Sequence, residues 1–529
     1  MKRIEKWVIA TTCIVLVAAF SNFFYRTTVL KHLDSVFLFE SSLSVLESGH
    51  PTSRSLASLS EVLKTFAVPI ETLCRSNLDK QGLPAYNVID NHAYTALYPI
   101  SILASLVGPE FAFALMNSLA HVLLLIVPFI FLRRGGGGVF PSLAFALCVA
   151  FYPAWSYSPV GDYYLDRLYM PFALLSLYFM HAIVRMDATA KQRQLLAGFV
   201  VSAIAASLFT ERAAIMMMGT IVFFLLFYPQ LRKSAEVRNV LLGLLLLIGT
   251  YLFIYFRFVY IGIEGGVDLL TNALVVLNDP MARLRAPELL PFILVNLLFI
   301  GIFVPFAGFR YLVLALGTLI PNILVTTGGA ELNGWSTHYH AMYLPFLIFV
   351  ASIGYLRLIQ RFNTGKERAV FTLVVGVYAL MIVGFLNPYT GKFEKPFLAS
   401  LERSVIGNIF RYYFTPTQSY ERMAIEVFHS LKEIIPQGAK VSAVEGAMPV
   451  LYKSSLLSLY PINMTSADFV VLSGTAADGR VTSVSGATSL TGSLQMEALN
   501  QCLLQRMMMN GFVLFKDIPQ IGVLIFKRI

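Results

Sequence analysis

Residues 7–34 read WVIATTCIVLVAAFSNFFYRTTVLKHLD, an apolar run from Trp7 to Tyr25 followed by a polar step that ends on Asp34. A run of this length can cross a hydrocarbon core of roughly 30 Å as a helix. It follows Met1-Lys2-Arg3-Ile4-Glu5-Lys6 and so begins like a signal peptide. Its apolar part is long, Phe20-Ser21-Asn22 is a poor cleavage site, and further apolar runs follow, so it reads as a retained first helix. Asp34 then stands just past the expected membrane span.

Composition points the same way. The chain has 529 residues, 57% hydrophobic and 13% charged, whereas a soluble chain carries roughly a quarter charged residues. Its net charge of +10 is spread over short connections between apolar runs, which makes it a topology signal rather than a nucleic-acid surface. Of four cysteines, Cys13 and Cys148 lie inside apolar runs, and no metal motif is formed. Spacing leaves open whether Cys74 and Cys502 pair.

Spans are expected at 7–25, 110–132, 139–156, 168–185, 194–210, 212–228, 239–261, 290–308, 311–328, 341–357 and 369–386, about eleven in all. Alternate loops hold Arg133-Arg134, then Arg185, Lys191 and Arg193, then Arg232, Lys233 and Arg238, then Arg310, then Arg357, Arg361, Lys366 and Arg368. The opposite loops are poor in basic residues, so the N-terminus is expected inside and the C-terminus outside. Residues 26–109, 262–289 and those after about 387 would be extracytoplasmic.

Within 26–109, Leu56, Leu59, Val62, Leu63 and Phe66 repeat at helical spacing and predict an amphipathic helix on the membrane surface. Ala93 to Val107 is short for a span and reads as a second juxtamembrane helix; a twelfth span there would invert everything downstream and clash with Arg133-Arg134. The expected domains are therefore a helical transmembrane unit, 1–386, and a small extracytoplasmic α/β domain, 387–529. The latter rests on β-rich runs at Val441–Val444, Phe469–Leu472 and Gly522–Phe526 and on helical periodicity over Glu421–Ile435. Gly474 to Gly492, rich in Gly, Ser, Thr and Ala, reads as a mobile loop.

The order of these features resembles a known family. An Asp follows the first helix, His92 precedes a Leu-Tyr-Pro run, Gly108-Pro109-Glu110-Phe111 leads into a helix ending in Arg-Arg, and the second outer loop is acidic. This is similar to the GT-C membrane glycosyltransferases and, more closely, to the domain-of-unknown-function family 2079, multi-span prokaryotic proteins of that superfamily. Asp34 and Glu40 match that family's first-loop motif. Its Asp-Phe-His-Pro is replaced here by Asp162-Tyr163-Tyr164-Leu165, its central Lys-Glu-acidic step by Thr210-Glu211-Arg212, and its Tyr-rich late span by His338-Tyr339-His340-Ala341-Met342-Tyr343. The resemblance implies a GT-C-like fold in a prokaryotic inner membrane and a polyprenyl-phosphate sugar donor.

Sugar transfer from a lipid phosphate needs a base for the acceptor and cations or a metal for the developing phosphate charge. Asp34, Glu40 and Asp162 are the candidate catalytic carboxylates. The ordinary reading of Asp34 is an N-cap ahead of a surface helix. Glu40, six residues on, would lie about 120° round a helix from Asp34. Asp162 and Asp166 would share a face if Tyr163 to Leu165 were helical, and could then hold a divalent metal.

The candidate substrate-binding residues are Asp166, Arg167, Glu211, Arg212, Arg257, His338, Tyr339 and His340. Glu211-Arg212 sits where an uncharged turn would suffice, and an ionisable pair at that depth is costly without a partner. Arg257 can snorkel, or bind a lipid phosphate through its guanidinium fork. His338 and His340 form an H-x-H pair after Glu331 to Trp335, whose aromatic residue suits a sugar or simply an interface. At least two of Arg167, Arg212 and Arg257 are expected to converge on one outward-facing cavity.

No Walker loop, dinucleotide fingerprint, G-x-S-x-G or H-E-x-x-H is present, and Gly135 to Gly138 reads as a turn. The expected function is a membrane glycosyltransferase with a lipid-linked sugar donor and an acceptor glycan, lipid or protein, in contact with membrane lipid and not nucleic acid. The alternatives are a transporter or flippase of lipid-linked sugars and a non-catalytic scaffold. A transporter should show internal repeats or broken helices in matching halves.

Overall fold

The structure, a computed structural model, describes residues 3–31, 33–66, 74, 76–80, 82–157, 162–185, 190–261, 289–325, 338–362, 364–385, 405–414, 420–453, 456–477, 480–485 and 493–529. The chain opens with α1 (Arg3–Arg26), α2 (Leu33–Ser48), α3 (Arg54–Phe66), α4 (Leu97–Val107), α5 (Pro109–Arg134) and α6 (Val139–Phe151). Then come α7 (Met170–Val184), α8 (Ala190–Ser207), α9 (Glu211–Phe227), α10 (Ala235–Ile254), α11 (Leu289–Leu298), α12 (Phe309–Val325), α13 (Leu344–Gln360) and α14 (Gly365–Phe385). A helical segment thus stands at each of the eleven expected places. Among the described residues five, Ile4–Arg26, Pro109–Arg134, Leu165–Val184, Ala235–Val259 and Tyr339–Gln360, are long and apolar enough to cross a membrane.

α1 packs antiparallel on α5. The Tyr25 ring meets Phe111 at 5.7 Å at one end, and Glu5 pairs with Arg133 at 2.6 Å at the other. Trp7, Val8, Ile14 and Val15 are left exposed, the apolar outer face that lipid rather than water would cover. α13 lies at the centre, fully buried along most of its length. Gly354 lets it press against the backbone carbonyl of Phe303, where a Cβ has no room.

Three expectations need correction. The segment expected as one span over 290–308 is broken at Phe299 into α11 and a 3-10 helix, Ile300–Ala307, with the Leu298 carbonyl bonded by Tyr378 Oη at 2.6 Å. The surface helix α3 does form, but Leu56, Leu59 and Val62 on its apolar face pack into the protein core, where α3 meets α2 and the C-terminal sheet, rather than facing lipid. Gly474–Gly492 is not all loop, since Phe469–Ala477 and Arg480–Ser485 pair as antiparallel strands. The β-branched Val481, Thr482 and Val484 carry the second strand; 478–479 and 486–492 lie outside the described residues.

The C-terminal part contains α15 (Val405–Phe414), α16 (Tyr420–Ile434), α17 (Ser493–Met509) and a six-stranded mixed sheet. Numbering after the two-residue ladder of β1 (Thr52–Ser53) and β2 (Tyr86–Asn87), the strands are β3 (Lys440–Ala443), β4 (Leu456–Leu459), β5 (Phe469–Ala477), β6 (Arg480–Ser485), β7 (Phe512–Ile518) and β8 (Val523–Arg528). Their order is β4-β3-β5-β8-β7, with β6 on β5; β3 runs parallel to β4 and β5, and the β5-β8-β7 ladder is antiparallel. Val470, Val471, Leu472, Leu524, Ile525 and Phe526 are buried on both faces, as a covered sheet requires.

The sheet is tied to the first loop. Cys74 and Cys502 form a disulfide, Asp79 Oδ1 accepts from Ser466 N at 3.1 Å, and Lys80 N donates to Asn463 Oδ1 at 2.6 Å.

Candidate functional site

The first turn of α2 brings Asp34 to the end of the bundle opposite the Glu5–Arg133 pair. Tyr164 donates its hydroxyl to Asp34 Oδ2 at 2.5 Å. Loss of hydration, then the charge of Asp162, raises the Asp34 pKa to about 7; the Tyr164 bond pulls it down, Glu445 adds to the rise and His92 opposes it. A carboxylate poised near neutrality is suited to take a proton.

Asp162 is buried beside it. Ser35 Oγ donates to Asp162 Oδ1 at 2.8 Å and accepts from Tyr163 N at 3.0 Å, so adjacent positions on α2 hold both segments together. Lys31 is buried with Nζ 5.2 Å from the Tyr163 ring; burial lowers its pKa to about 7, against the pull of Asp162. Arg167 is wholly buried, donates to the Asp162 carbonyl and lies 5.0 Å from the Tyr164 ring.

The next layer comes from α9 and the turn before α4. Thr210 caps α9, accepting from Ala213 N, which leaves Glu211 in the first turn where a carboxylate suits the helix dipole. Glu211 Oε1 meets His92 Nδ1 at 3.1 Å, and Oε2 accepts from Ala93 N at 3.1 Å. Arg212 lies 3.8 Å from Glu211 Oε1 and 5.7 Å from the Tyr339 ring. The charges of Arg167 and Arg212 both act on buried Asp166.

Asp34, Asp162, Asp166, Arg167, Glu211, Arg212 and Tyr339 are therefore neighbours. Asp162 and Asp166 do not share a helical face, because Tyr164 is extended (φ −137°, ψ 137°) and the helical turn begins at Leu165. Asp162 turns to Ser35, and Asp166 turns to Thr210 and Arg212.

Glu40 lies elsewhere. It accepts from Ser53 Oγ at 2.6 Å, Ser55 N at 3.0 Å and Ser55 Oγ at 2.8 Å, and so holds the start of α3. Burial raises its pKa, against those donors and Arg54. The helical offset from Asp34 explains the separation, and the expected catalytic place for Glu40 is not met.

Arg257 is exposed in the middle of the π-helical turn Tyr255–Val259, with its guanidinium 5.6 Å from the Phe258 ring, so the two arginines that come together are Arg167 and Arg212, both acting on Asp166. His340 is turned inward, its Nδ1 2.9 Å from Tyr343 Oη and its ring stacked 5.8 Å from Phe292. The His338 side chain, Glu331 to Trp335 and the loop 262–288 lie outside the described residues.

Among the described residues, no group of three His, Cys, Asp or Glu is arranged to hold a metal. Four members of the cluster carried no assigned role in the sequence: Lys31, His92, Tyr164 and Glu445. Tyr164 lies between two acidic candidates and His92 before a Leu-Tyr-Pro run, both visible signals, whereas Glu445 follows a strand far downstream and has none.

No protein-family model matches the sequence, and no curated protein matches it. Among solved structures, ArnT from Cupriavidus metallidurans bound to undecaprenyl phosphate aligns with TM-score 0.46 and 13% identity, over 92% of this chain and 100% of that chain. ArnT from the same organism in the apo state aligns with TM-score 0.45 and 14% identity, over 92% of this chain and 99% of that chain.

Proposed function

We propose that this protein is a GT-C-like membrane glycosyltransferase, related to the domain-of-unknown-function family 2079, that moves a sugar from a polyprenyl-phosphate donor to an acceptor outside a prokaryotic inner membrane. The observation that carries the reading is Asp34. It is a carboxylate with a pKa near 7, fixed by Tyr164, beside a layer that holds Arg167 and Arg212, at one end of a bundle of apolar helices.

The reaction asks for those parts. Asp34 takes the proton of the acceptor hydroxyl as its oxygen attacks the anomeric carbon. The bond from that carbon to the phosphate oxygen breaks, and the lipid phosphate leaves with both electrons. Guanidinium groups stabilise its growing charge through bidentate hydrogen bonds. Asp162 and Lys31 position the segment that carries Tyr164, and Glu211 positions His92 and the start of α4.

The outward placement is supported by the Cys74–Cys502 disulfide, a bond that persists in oxidising compartments. The basic connections also gather at the opposite end: Arg357 lies 5.8 Å from the Tyr311 ring, Arg310 lies 5.3 Å from that of Tyr228, and Gln360 reaches the Gly135 carbonyl at 3.1 Å.

The test is to supply the purified protein with polyprenyl-phosphate sugars and follow release of the polyprenyl phosphate. Release that disappears in Asp34→Asn supports the reading. Movement of the lipid-linked sugar across proteoliposomes, without release and unchanged in Asp34→Asn, would assign a flippase instead.

A further inference from the structure

A groove runs along the junction between α3, residues 80, 82 and 83, and the edge of the C-terminal sheet. One part is a cavity of 470 Å³ lined by Arg54, Ser58, Lys80, Lys440, Ser458 and Ser466, among others. It adjoins a second cavity of 510 Å³, which shares Arg54, Leu456 and Leu457 and adds Glu40, Tyr452 and Lys453. Both are of the size that holds a small ligand.

The walls are fixed in place. Asn463 accepts from Lys80 N at 2.6 Å and donates to Ser458 Oγ at 2.9 Å, while Asp79 holds Ser466 N at 3.1 Å. Among the described residues no carboxylate lines the first cavity, whereas Glu40 and the exposed Glu47 line the second, which places the anion-binding end in the first. Glu61 is held by Lys64 at 3.2 Å and Lys80 at 3.5 Å, Glu40 by Ser53 and Ser55, and Asp468 accepts from the Lys440 backbone N at 2.8 Å. In the first cavity Arg54, Lys80 and Lys440 stand with serine hydroxyls and the Asn463 carboxamide beside Leu456 and Leu457; in the second, Lys453 is held by Glu110 at 2.7 Å and Tyr452 offers a ring, so the lining suits a chain of hydroxyls whose negative charge sits at the first cavity.

We propose that this groove binds an anionic glycan segment of the acceptor, its phosphate or carboxylate group seated among Arg54, Lys80 and Lys440. The inference rests on the glycosyltransferase reading for the word acceptor, but the binding chemistry stands by itself. The Tyr452 ring packs 5.5 Å from Phe39, which packs 5.9 Å from Tyr163, so the groove backs onto the Asp34 cluster through a wall of aromatic rings.

The test is direct binding to the full-length protein in neutral detergent. The probes are maltohexaose, hexagalacturonate, a phosphorylated oligomannose and inorganic phosphate. Either acidic oligosaccharide should bind at least about tenfold tighter than maltohexaose, and binding should weaken with salt. The variant Lys80→Ala/Lys440→Ala should lose about tenfold for the acidic chain, the scale of one charge-assisted hydrogen bond. Polyprenyl-phosphate binding should be unchanged.

Equal binding of neutral and acidic chains, an unaffected variant, or inorganic phosphate binding as tightly as the oligosaccharides would each overturn the inference. If no lipid donor supports transfer yet charge-selective binding remains, the glycosyltransferase reading fails and the groove stands. If transfer is intact and charge-selective binding is absent, the groove alone fails.

Discussion

Tyr164 donates its phenolic hydroxyl to Asp34 at 2.5 Å across 130 positions of sequence. The bond ties the first turn of α2 to the extended step before α7, and it stabilises the ionised carboxylate against the burial and like charge that push its pKa to about 7. Removing the donor with Tyr164→Phe should therefore raise that pKa further. A hydrogen bond to a charged group contributes about 1.5–3 kcal/mol, so the acid limb of the pH–rate profile should move alkaline by about one unit or more. An acid limb that stays in place would show that Asp34 is not the group titrating.

Asp34→Asn should abolish transfer while the protein still folds. Asn keeps the size and can accept from Tyr164, but cannot take a proton, and positioned base catalysis is worth about 10²–10⁴-fold in rate. Stability should move the other way. The folded-state pKa, about 7, lies above the unbound value of 3.8, so the folded state holds the proton more tightly. Wild-type stability from this group is therefore present at low pH and lost as pH rises to and through 7. Thermal unfolding at pH 6 and pH 8 should show a larger drop in wild type than in Asp34→Asn. Equal drops would remove the charge penalty from the account.

The membrane class was legible because long apolar runs leave no other option, and the positions of the helices followed from it. Asp34, Glu211 and Arg212 were legible because each charge stands where lipid or a bare turn would ask for none. The pairing of Asp162 with Asp166 was not, since one extended residue, Tyr164, breaks the helical phase on which it depended. Glu40 was put forward by the family resemblance alone, and the helical offset from Asp34 takes it to Ser53 and Ser55 instead. Lys31 escaped notice because a lysine just past a span is ordinary at the interface, and only the fold buries it against Tyr163. Glu445 is brought in by the C-terminal sheet, a long-range arrangement that no local pattern encodes.

Glu211 is a positioning residue, and two substitutions separate its charge from its hydrogen bonds. Glu211→Gln keeps an acceptor for the Ala93 amide, which now sits 3.1 Å away. Glu211→Ala leaves that buried amide and His92 without their partner, at a cost of about 1–3 kcal/mol. Glu211→Ala should lower the unfolding temperature and transfer together, while Glu211→Gln keeps near-native unfolding and loses far less activity. If Gln is as inactive as Ala yet fully stable, Glu211 acts on substrate directly.

The Cys74–Cys502 bond closes the first loop onto α17, where Arg506 also donates to the carbonyls of Ser76 at 2.5 Å and Cys74 at 3.3 Å. The bond restricts the unfolded chain, and losing one of this kind typically removes about 2–4 kcal/mol. Cys502→Ser should lower the unfolding temperature, but the Asp79 and Lys80 contacts should keep the sheet docked at ordinary temperature. The bond can be read directly by placing a protease site between residues 386 and 404. After cleavage the wild-type halves should stay joined on a gel without reductant and separate with it, and the Cys502→Ser halves should separate in both. Halves that separate without reductant in protein taken straight from cells would mean free thiols. Both segments would then lie in a reducing compartment, and the outward placement of Asp34 would fall with them, since Asp34 and Cys74 lie in the same loop.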